Sequence, residues 1–233
     1  MSALLRWVVT GANRGIGLEF VRQLAARGDE VVATVRDLSA ANDLQGVAAA
    51  ADGRVNVVPC DTSSDQSTLD LLGFVGPRVV DVIINNAGVM GAMTALEELD
   101  FAEMTRTFDV NALGPLRVAQ ALLPALLRGP VRRIVSISSG MGSIEDNTSG
   151  GAYGYRISKA ALNMANRSMS VDLRDRGFTC VVMNPGWVQT DMGGAGAPLP
   201  VVESVASLIR IIDGLTPRDS GKFINYRGNE FAW

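Results

Sequence analysis

The sequence predicts a doubly wound α/β fold, in which helices cover both faces of a parallel sheet. Short apolar runs alternate with longer segments of helical periodicity along the chain, and this alternation is typical of a parallel sheet that is buried on both faces. The chain has 233 residues and no internal repeat or low-complexity linker, and a chain of that length can bury one sizeable core. We therefore expect residues 1–233 to form a single domain.

Six short apolar runs are the predicted strands. They are Trp7–Thr10, Val31–Val35, Val55–Val58, Val82–Asn85, Ile134–Ser138 and Cys180–Met183. Longer helical patterns lie between them, among them Gly17–Arg27, Ala102–Leu127 and Ala152–Arg176. Ligands of such sheets bind outside the carboxyl ends of the strands. Functional residues are therefore expected just after each apolar run.

Charge and hydropathy argue against several function classes. The net charge is −3 and there is no run of basic residues, so the chain carries no electrostatic footprint for nucleic acid or an anionic membrane. No apolar segment reaches the roughly 20 residues of a membrane span, and residues 1–7 do not form a signal peptide. Cys60 and Cys180 lie in apolar runs without metal-ligand spacing, which predicts reduced core thiols. We expect a cytoplasmic protein without a bound metal.

The absence of histidine limits the chemistry further. It removes the Ser-His-Asp triad, the Cys-His dyad and the usual proton shuttle, so acid-base work must fall to tyrosine, lysine or a carboxylate. Lys159 is one of only two lysines in a chain with nineteen arginines. A lysine at this position is therefore a candidate for a specific role.

Tyr155 and Lys159 are four residues apart, which places them on one face of a helix. A nearby ammonium favours the phenolate form of tyrosine and lowers a phenol pKa of about 10 toward the range that general acid-base catalysis requires. Tyr153 has no lysine four residues later and is predicted to be a wall of the pocket. The alternative is an exposed lysine one turn after a packed tyrosine.

A glycine-rich turn, TGANRGIG, leads from the first predicted strand into a helix at residues 10–17. Small residues let the backbone approach a diphosphate, and the helix offers free N–H groups and the positive end of its dipole. The turn is therefore a candidate dinucleotide cradle, although a plain tight turn is the alternative. Its predicted binding residues are Gly11, Asn13, Arg14, Gly15, Ile16 and Gly17.

Seven motifs together resemble the short-chain dehydrogenase/reductase family. They are TGANRGIG, Asp61, NNAG at residues 85–88, Asn111, Ser139, the Tyr155/Lys159 pair and Asn184-Pro185-Gly186, in the family's order and approximate spacing. The resemblance covers essentially the whole chain and implies a Rossmann-like sheet. Within the family, stretches such as NPGWVQTDMGG resemble the branch that contains C-factor, a bacterial developmental signalling protein, and the sniffer-type carbonyl reductases.

The resemblance implies a catalytic tetrad. Tyr155 would give a proton to a carbonyl oxygen as hydride arrives from the nicotinamide, or remove it in the reverse reaction. Lys159 would lower the pKa of Tyr155 and hold the nicotinamide ribose. Ser139 would hydrogen-bond the substrate oxygen, and Asn111 would position a water that connects Lys159 to solvent. A signalling or cofactor-sensing protein in which catalysis is secondary is the alternative function.

The choice of serine is open at this stage. Ser139 precedes Tyr155 by sixteen residues, a longer interval than the family commonly shows, which we attribute to a polar, glycine-rich loop at residues 144–151. Ser138 and Ser143 are the alternatives. Because successive strand residues face opposite ways, Ser138 and Ser139 cannot both point at one site.

Cofactor choice is predicted from the end of the second strand, where NAD enzymes usually place an acid. Val35 occupies that position, followed by Arg36, and Arg14 lies in the glycine turn. Charge-assisted bonds to a 2′-phosphate are worth roughly 1.5 to 3 kcal/mol each, so we expect NADP(H) to be preferred at least tenfold. If Asp37 points at the ribose instead, NAD would be accepted.

The family resemblance implies further cofactor contacts. Asp61 would accept from the adenine amino group, and Thr190 would fix the nicotinamide carboxamide. The segment after residue 84 would line the adenosine ribose, and the segment after the sixth strand would line the nicotinamide. Their implied binding residues are Asn85, Ala87 and Gly88 in the first and Pro185, Gly186 and Val188 in the second.

The substrate and assembly predictions depend on weaker signals. Residues 186–200 contain four glycines and two prolines and are predicted to form a mobile lid. Trp187 and Met192, with Met90, Met93 and Met141 after other strands, suggest an apolar pocket for an aldehyde or ketone. Family members commonly dimerise through the helices at residues 102–127 and 152–176, which implies a homodimer or homotetramer.

Overall fold

A seven-stranded parallel sheet forms the centre of the computed structural model, which describes residues 4–233. The strand order is β3-β2-β1-β4-β5-β6-β7, and every neighbouring pair is parallel. The strands are β1 Arg6–Val9, β2 Glu30–Val35, β3 Val55–Pro59, β4 Val82–Asn85, β5 Arg133–Ile137, β6 Thr179–Asn184 and β7 Phe223–Asn225. The predicted fold class is confirmed, with the six predicted strands in place.

Helices cover both faces of this sheet and close two apolar cores. They are α1 Gly15–Arg27, α2 Asn42–Ala49, α3 Asp65–Val75, α4 Phe101–Phe108, α5 Gly114–Leu126, α6 Tyr153–Asp172 and α7 Val201–Asp213. Side chains of α1, α2 and α7 pack in one core, and side chains of α3, α5 and α6 pack in the other. Successive strand residues point alternately into the two cores, and the strands are therefore apolar throughout.

The predicted helix over residues 102–127 is interrupted. A π-helical turn, Asp109–Leu113, separates α4 from α5, and the Gly114 N–H donates to the carbonyl of Asp109, five residues earlier. Pro115 stands in the first turn of α5 and has no N–H to donate to the carbonyl of Asn111. The regular helical ladder therefore cannot run through this point, and Asn111 lies at the irregularity.

Strand β7 is an element that the sequence does not predict. It has three residues, too few to show a periodicity, and it pairs with the end of β6. The chain then turns back, because Gly228 adopts a φ of +89° and the Phe231 N–H donates to the Phe223 carbonyl oxygen at 2.7 Å. We call residues 223–233, which contain Phe223, Tyr226, Phe231 and Trp233, the aromatic segment.

The strand order reverses between β1 and β4, where a crevice forms at the carboxyl ends of the strands. The segments that follow β1, β4, β5 and β6 meet at this edge of the sheet and contain most of the predicted site clusters, whereas Arg36 and Asp61 follow β2 and β3. None of the helices within residues 4–233 is long and apolar enough to cross a membrane.

Candidate active site and cofactor cleft

Three of the predicted catalytic side chains meet at the carboxyl end of β5. Tyr155 lies in the first turn of α6 and Lys159 one turn later, with the Lys159 ammonium nitrogen 5.7 Å from the centroid of the Tyr155 ring. The Lys159 Nζ donates to the Ile137 carbonyl oxygen at 2.9 Å. The Ser139 hydroxyl lies close enough to Tyr155 to lower the pKa of its phenol. Tyr155 and Lys159 are 6% and 5% exposed, which excludes the alternative of a solvent-facing lysine.

Burial controls the protonation of this cluster. It raises the pKa of Tyr155, and the hydrogen bond with Ser139 offsets only part of that shift. Burial also lowers the pKa of Lys159, to about 8. The net direction for Tyr155 is opposite to the one predicted from the sequence, because removal from water disfavours the phenolate more than the neighbouring groups favour it. Near neutral pH, Tyr155 therefore holds its proton.

The structure distinguishes the three candidate serines. Ser138 turns into the sheet-helix layer, where its hydroxyl donates to Asn163 Oδ1 at 2.7 Å. Ser143 donates to the Trp233 main-chain oxygen at 3.1 Å, away from Tyr155. Ser139 is the serine whose hydroxyl reaches Tyr155, and it also accepts from the N–H of Met141. The predicted choice of Ser139 agrees with this geometry.

Asn111 lies close to Lys159 and has a fully bonded side chain. Its Oδ1 accepts from the Val89 N–H, and its Nδ2 donates to the Val89 carbonyl oxygen, both at 2.8 Å, and to Ser158 Oγ at 2.9 Å. A Cβ atom on Gly88 would be 3.2 Å from Asn111 Oδ1 and 3.6 Å from Lys159 Nζ. Asn111 and Lys159 therefore both approach this glycine, and the side-chain bonds of Asn111 hold the loop after β4 in place.

The glycine turn after β1 has the geometry of an anion cradle. Gly11 and Gly15 adopt left-handed φ values of +64° and +55°. A Cβ on Gly17 would lie 2.3 Å from the Gly11 carbonyl oxygen, so the turn closes only around glycine. Arg14 precedes α1 without capping it through its side chain, and the first turn contains no acid. The N-terminal N–H groups of α1 are thus directed at the crevice, where a diphosphate fits.

The other predicted residues of the turn have different exposures. Asn13 and Ile16 are half-buried. Arg14 is exposed, and its guanidinium lies 3.0 Å from the carboxylate of Asp191, across the crevice. This pair joins the glycine turn to the segment after β6.

The end of β2 presents a cation rather than an acid to the crevice. Val35 is 1% exposed and packs in the core, whereas Arg36 is exposed. Asp37 Oδ1 accepts from the N–H and the hydroxyl of Ser39, at 2.8 and 2.7 Å, and so caps the next turn. The alternative in which Asp37 serves the ribose therefore has no support in this arrangement.

Asp61 follows β3 and is partly buried. Burial raises its pKa, but two hydrogen bonds from Ser63 and the charges of Arg36 and Arg117 outweigh that effect, so the net pKa is below its ordinary value. Asp61 is therefore ionised at neutral pH and able to accept from an amino group.

The NNAG segment after β4 is built around the hydroxyl of Thr10. Thr10 Oγ1 accepts from the N–H groups of Asn86 and Ala87, at 3.0 and 3.1 Å. The Asn86 side chain donates to the carbonyl oxygens of Thr10 and Gly11. Asn86 thus ties the glycine turn to β4, a role that the sequence analysis missed. Asn85 itself is buried, with 2% of its surface exposed.

The segment after β6 begins at Pro185 and turns sharply at Gly186, which has a φ of +86°. Val188 is buried and bridges to Leu199, which closes residues 186–200 into a loop. The Thr190 hydroxyl accepts from the Gly193 N–H at 3.1 Å. Thr190 also faces the glycine turn, because a Cβ on Gly15 would lie 3.4 Å from its methyl group.

Taken together, the crevice fits a dinucleotide. One end of the crevice has a glycine turn at a helix N-terminus, exposed cations in that turn and after β2, and an ionised acid after β3. The cluster of Ser139, Tyr155 and Lys159 lies at its other end. No cluster of metal-ligating side chains occurs within residues 4–233.

Comparison with known proteins agrees with this geometry. The sequence profile described as short chain dehydrogenase matches residues 6–197. The chain belongs to the short-chain dehydrogenase/reductase family. This confirms the resemblance, and members of the family are oxidoreductases.

Three similar proteins narrow the position within the short-chain dehydrogenases. C-signal of Myxococcus xanthus is 59% identical over 154 residues, which cover 66% of this chain and 93% of C-signal. The NADPH-bound carbonyl reductase from chicken fatty liver has a TM-score of 0.93 at 35% identity, and each chain is covered completely. The carbonyl reductase Sniffer of D. melanogaster has a TM-score of 0.92 at 32% identity, covering 99% of this chain and 100% of Sniffer.

Proposed function

We propose that this short-chain dehydrogenase reduces an aldehyde or ketone with NADPH and uses Tyr155 as the general acid. The observation that carries the proposal is the cluster of Ser139, Tyr155 and Lys159 at the carboxyl end of β5, beside a crevice that fits a dinucleotide. The carbonyl reductase neighbours, one of them bound to NADPH, support it.

When bound, NADPH would supply the hydride that reduces the carbonyl carbon. The Ser139 hydroxyl would bind the carbonyl oxygen, and Tyr155 would deliver a proton to the same oxygen as negative charge develops there. Burial keeps the Tyr155 phenol protonated near neutral pH, which is the form that a general acid requires. The raised pKa is therefore consistent with reduction.

Lys159 is suited to restoring the proton. Its pKa of about 8 lies close to neutral pH, where a group can both release and accept a proton. The main-chain carbonyl of Asn111, which receives no bond from Pro115, is the candidate site for the water that connects Lys159 to solvent. Lys159 would also hold the nicotinamide ribose hydroxyls.

The remaining predicted contacts are proposed on the same geometry. The glycine turn would bind the diphosphate, and Arg36 and Arg14 would bind the 2′-phosphate. Asp61 would accept from adenine. The chain around Asn85, Ala87 and Gly88 would line the adenosine ribose, and the chain around Pro185, Gly186, Val188 and Thr190 would line the nicotinamide.

A titration of the protein with NADPH and with NADH, followed by nicotinamide fluorescence, tests cofactor choice. We expect NADPH to bind at least about tenfold more tightly, because the proposed contacts of Arg14 and Arg36 would be made to the 2′-phosphate, which NADH lacks. A panel of aldehydes and ketones then tests turnover, with Tyr155→Phe as the matched variant that retains the ring. Loss of turnover with intact NADPH binding supports the proposal, whereas a wild-type protein that binds neither cofactor contradicts it.

The similarity to C-signal favours a second candidate, a signalling protein in which catalysis is secondary. The two candidates differ in their response to Tyr155→Phe. If a biological effect of this chain persists in that variant after turnover is lost, signalling is the primary function.

We also propose that the protein is cytoplasmic and forms a homodimer or a homotetramer. Apolar side chains on α4 and α6 face solvent, including Phe101, Ile157 and Met164, at 72%, 49% and 67% exposure. Burial of such a surface against a second copy would remove them from water. Light scattering at micromolar concentration tests this, and a monomeric mass contradicts it.

A further inference from the structure

The loop that contains Ser139 is held from outside by the aromatic segment, residues 223–233. The segment begins as strand β7, reverses at Gly228 and returns antiparallel to β7, where Glu230 bridges to Ile224. Its last residues lie next to the β5 loop, which we define as residues 139–152, because the Ile144 and Glu145 N–H groups donate to the Trp233 main-chain oxygen.

Phe223 anchors the returning chain. It is fully buried, and the Phe231 ring packs edge-on against it at a centroid distance of 5.1 Å and an interplanar angle of 66°. The Trp233 ring packs on Phe223 from 5.5 Å. Such aromatic contacts contribute roughly 0.5 to 1.5 kcal/mol each beyond area burial. The position of Phe231 and Trp233 is thus fixed by the sheet itself.

Both of these residues contact the β5 loop. A Cβ on Gly140 would lie 3.3 Å from Asn184 Nδ2 and 3.4 Å from the Phe231 ring, so both groups border the space beside Gly140. Three groups donate to the Trp233 main-chain oxygen, namely the Ile144 N–H at 2.9 Å, the Glu145 N–H at 3.0 Å and the Ser143 hydroxyl at 3.1 Å.

These contacts bracket the end of the loop where Ser139 lies. Gly140 is the next residue after Ser139, and Ser143 follows the short helical turn Gly140–Gly142, in which the Met141 N–H donates to the Ser139 hydroxyl. A movement of Gly140 or of residues 143–145 would displace the Ser139 hydroxyl from Tyr155. The aromatic segment also reaches the opposite wall, because a Cβ on Gly186 would lie 2.9 Å from the Tyr226 ring.

We propose that Phe231 and Trp233 are positioning residues, which hold the Ser139 hydroxyl on Tyr155 by fixing the β5 loop. The expected effect on catalysis rests on the proposed carbonyl reduction, whereas the expected effect on the position of the β5 loop does not. It assigns a role in the reaction to residues more than ninety positions after Ser139 in the sequence.

The test compares the wild-type protein with a chain that lacks residues 231–233, with Phe231→Ala and with Phe231→Leu. Phe74→Ala is the control, because it truncates a partly exposed aromatic side chain on α3. For each, NADPH affinity, kcat and KM for a carbonyl substrate, and amide hydrogen exchange of residues 140–151 are measured. Exchange of residues 65–75 serves as the internal reference.

We expect the shortened chain and Phe231→Ala to lose about tenfold to a hundredfold in kcat with unchanged NADPH affinity, since small misplacements of a catalytic group are that costly. Exchange in residues 140–151 should accelerate while the reference segment stays protected. Phe231→Leu, which keeps an apolar contact with Gly140, should restore most of the activity, and Phe74→Ala should behave as the wild type does.

Unchanged kcat together with unchanged exchange in the shortened chain would overturn the proposal. If circular dichroism shows that this chain does not fold, the same two readouts from Phe231→Ala decide. A wild-type protein that binds NADPH but reduces no carbonyl would contradict the proposed function alone. In that event, faster exchange of residues 140–151 in the shortened chain and in Phe231→Ala would support the structural role of Phe231 and Trp233, and unchanged exchange would reject it.

Discussion

Two loops flank Tyr155, and they are fastened in different ways. The β5 loop, residues 139–152, is bound by other elements: Asn163 donates to the Gly142 carbonyl oxygen, Arg156 bonds to residues 141, 149 and 150, and the aromatic segment holds residues 140–145. The β6 loop, residues 186–200, is closed mainly on itself, through bonds such as Trp187 Nε1 to the Gly193 carbonyl oxygen.

The difference corresponds to the proposed work of each loop. A group that binds a developing charge must be preorganised, so the loop with Ser139 is tied to the sheet, to α6 and to the aromatic segment. A lid must open for cofactor and substrate, and the β6 loop is joined to the glycine turn by the exposed Arg14–Asp191 pair. Four predictions test this comparison, ordered from the largest expected effect to the smallest.

The first prediction compares the adjacent serines of the fixed loop. Ser139→Ala should lower kcat by about 10² to 10³, because it removes a donor to the substrate oxygen. Ser138→Ala should leave kcat nearly unchanged and cost about 1 to 3 kcal/mol of stability, because it leaves the buried Asn163 amide oxygen without its partner. Steady-state kinetics and urea unfolding separate the two effects, and equal losses of kcat would contradict the proposed site.

The second prediction concerns the buried ammonium beneath this loop. Its pKa is about 8 in the folded protein and 10.5 ordinarily, so below pH 8 the folded state bears a cost on the order of 3 kcal/mol for holding the charge out of water. Lys159→Met removes that cost and loses one charge-assisted hydrogen bond to Ile137 worth about 1.5 to 3 kcal/mol. We expect a net gain of up to about 1.5 kcal/mol in the free energy of unfolding at pH 7, with turnover abolished.

The pH dependence gives this prediction its sign. Between pH 8 and 10.5 the unfolded state binds more protons than the folded one, so wild-type stability rises with pH across that window. The advantage of Lys159→Met should therefore be greatest below pH 8 and shrink toward pH 10.5 in urea unfolding. An advantage that stays constant over this window would show that Lys159 is not buried as a charge.

The third prediction addresses backbone strain where the fixed loop joins α6. Gly150 and Gly151 have left-handed φ values, and Ala152 follows with a φ of +46° while 3% exposed. Alanine in this conformation is disfavoured by about 1 kcal/mol relative to glycine. Ala152→Gly should raise the free energy of unfolding by up to that amount, measured by chemical denaturation. Ala160→Gly, within α6, is the control and should lower it.

The fourth and smallest effect is expected at the β6 loop, the proposed lid. Asp191→Asn removes an exposed ion pair worth less than about 1 kcal/mol, so stability should stay nearly constant. Because Arg14 is then free for the 2′-phosphate, NADPH affinity should rise slightly at low salt, and the gain should fade at high ionic strength. Fluorescence titration measures it. Asp52→Asn, which removes an exposed ion pair with Arg54, is the control. Weaker NADPH binding by Asp191→Asn would contradict the idea that Asp191 competes with the 2′-phosphate for Arg14.

The site residues could be predicted from sequence where residues that are close along the chain are also close in space. Tyr155 and Lys159 are neighbours because a helix places residues four apart on one face. The glycine turn is visible because its conformation demands glycine. Residues whose partners are remote in sequence were missed, as with Asn86, which binds Thr10 and Gly11, and Asn163, which binds Ser138.

The sequence by itself determined the parallel α/β architecture and the position of the crevice, because apolar periodicity and turn chemistry are local properties, and its ordered motifs indicated the family by resemblance. The tertiary structure decided which serine faces Tyr155 and in which direction the tyrosine pKa moves, because both depend on burial and on groups from several elements. It also decided that Phe231 and Trp233 reach the loop of Ser139. That contact arises from strand β7, which is too short to be recognised before the sheet has formed around it.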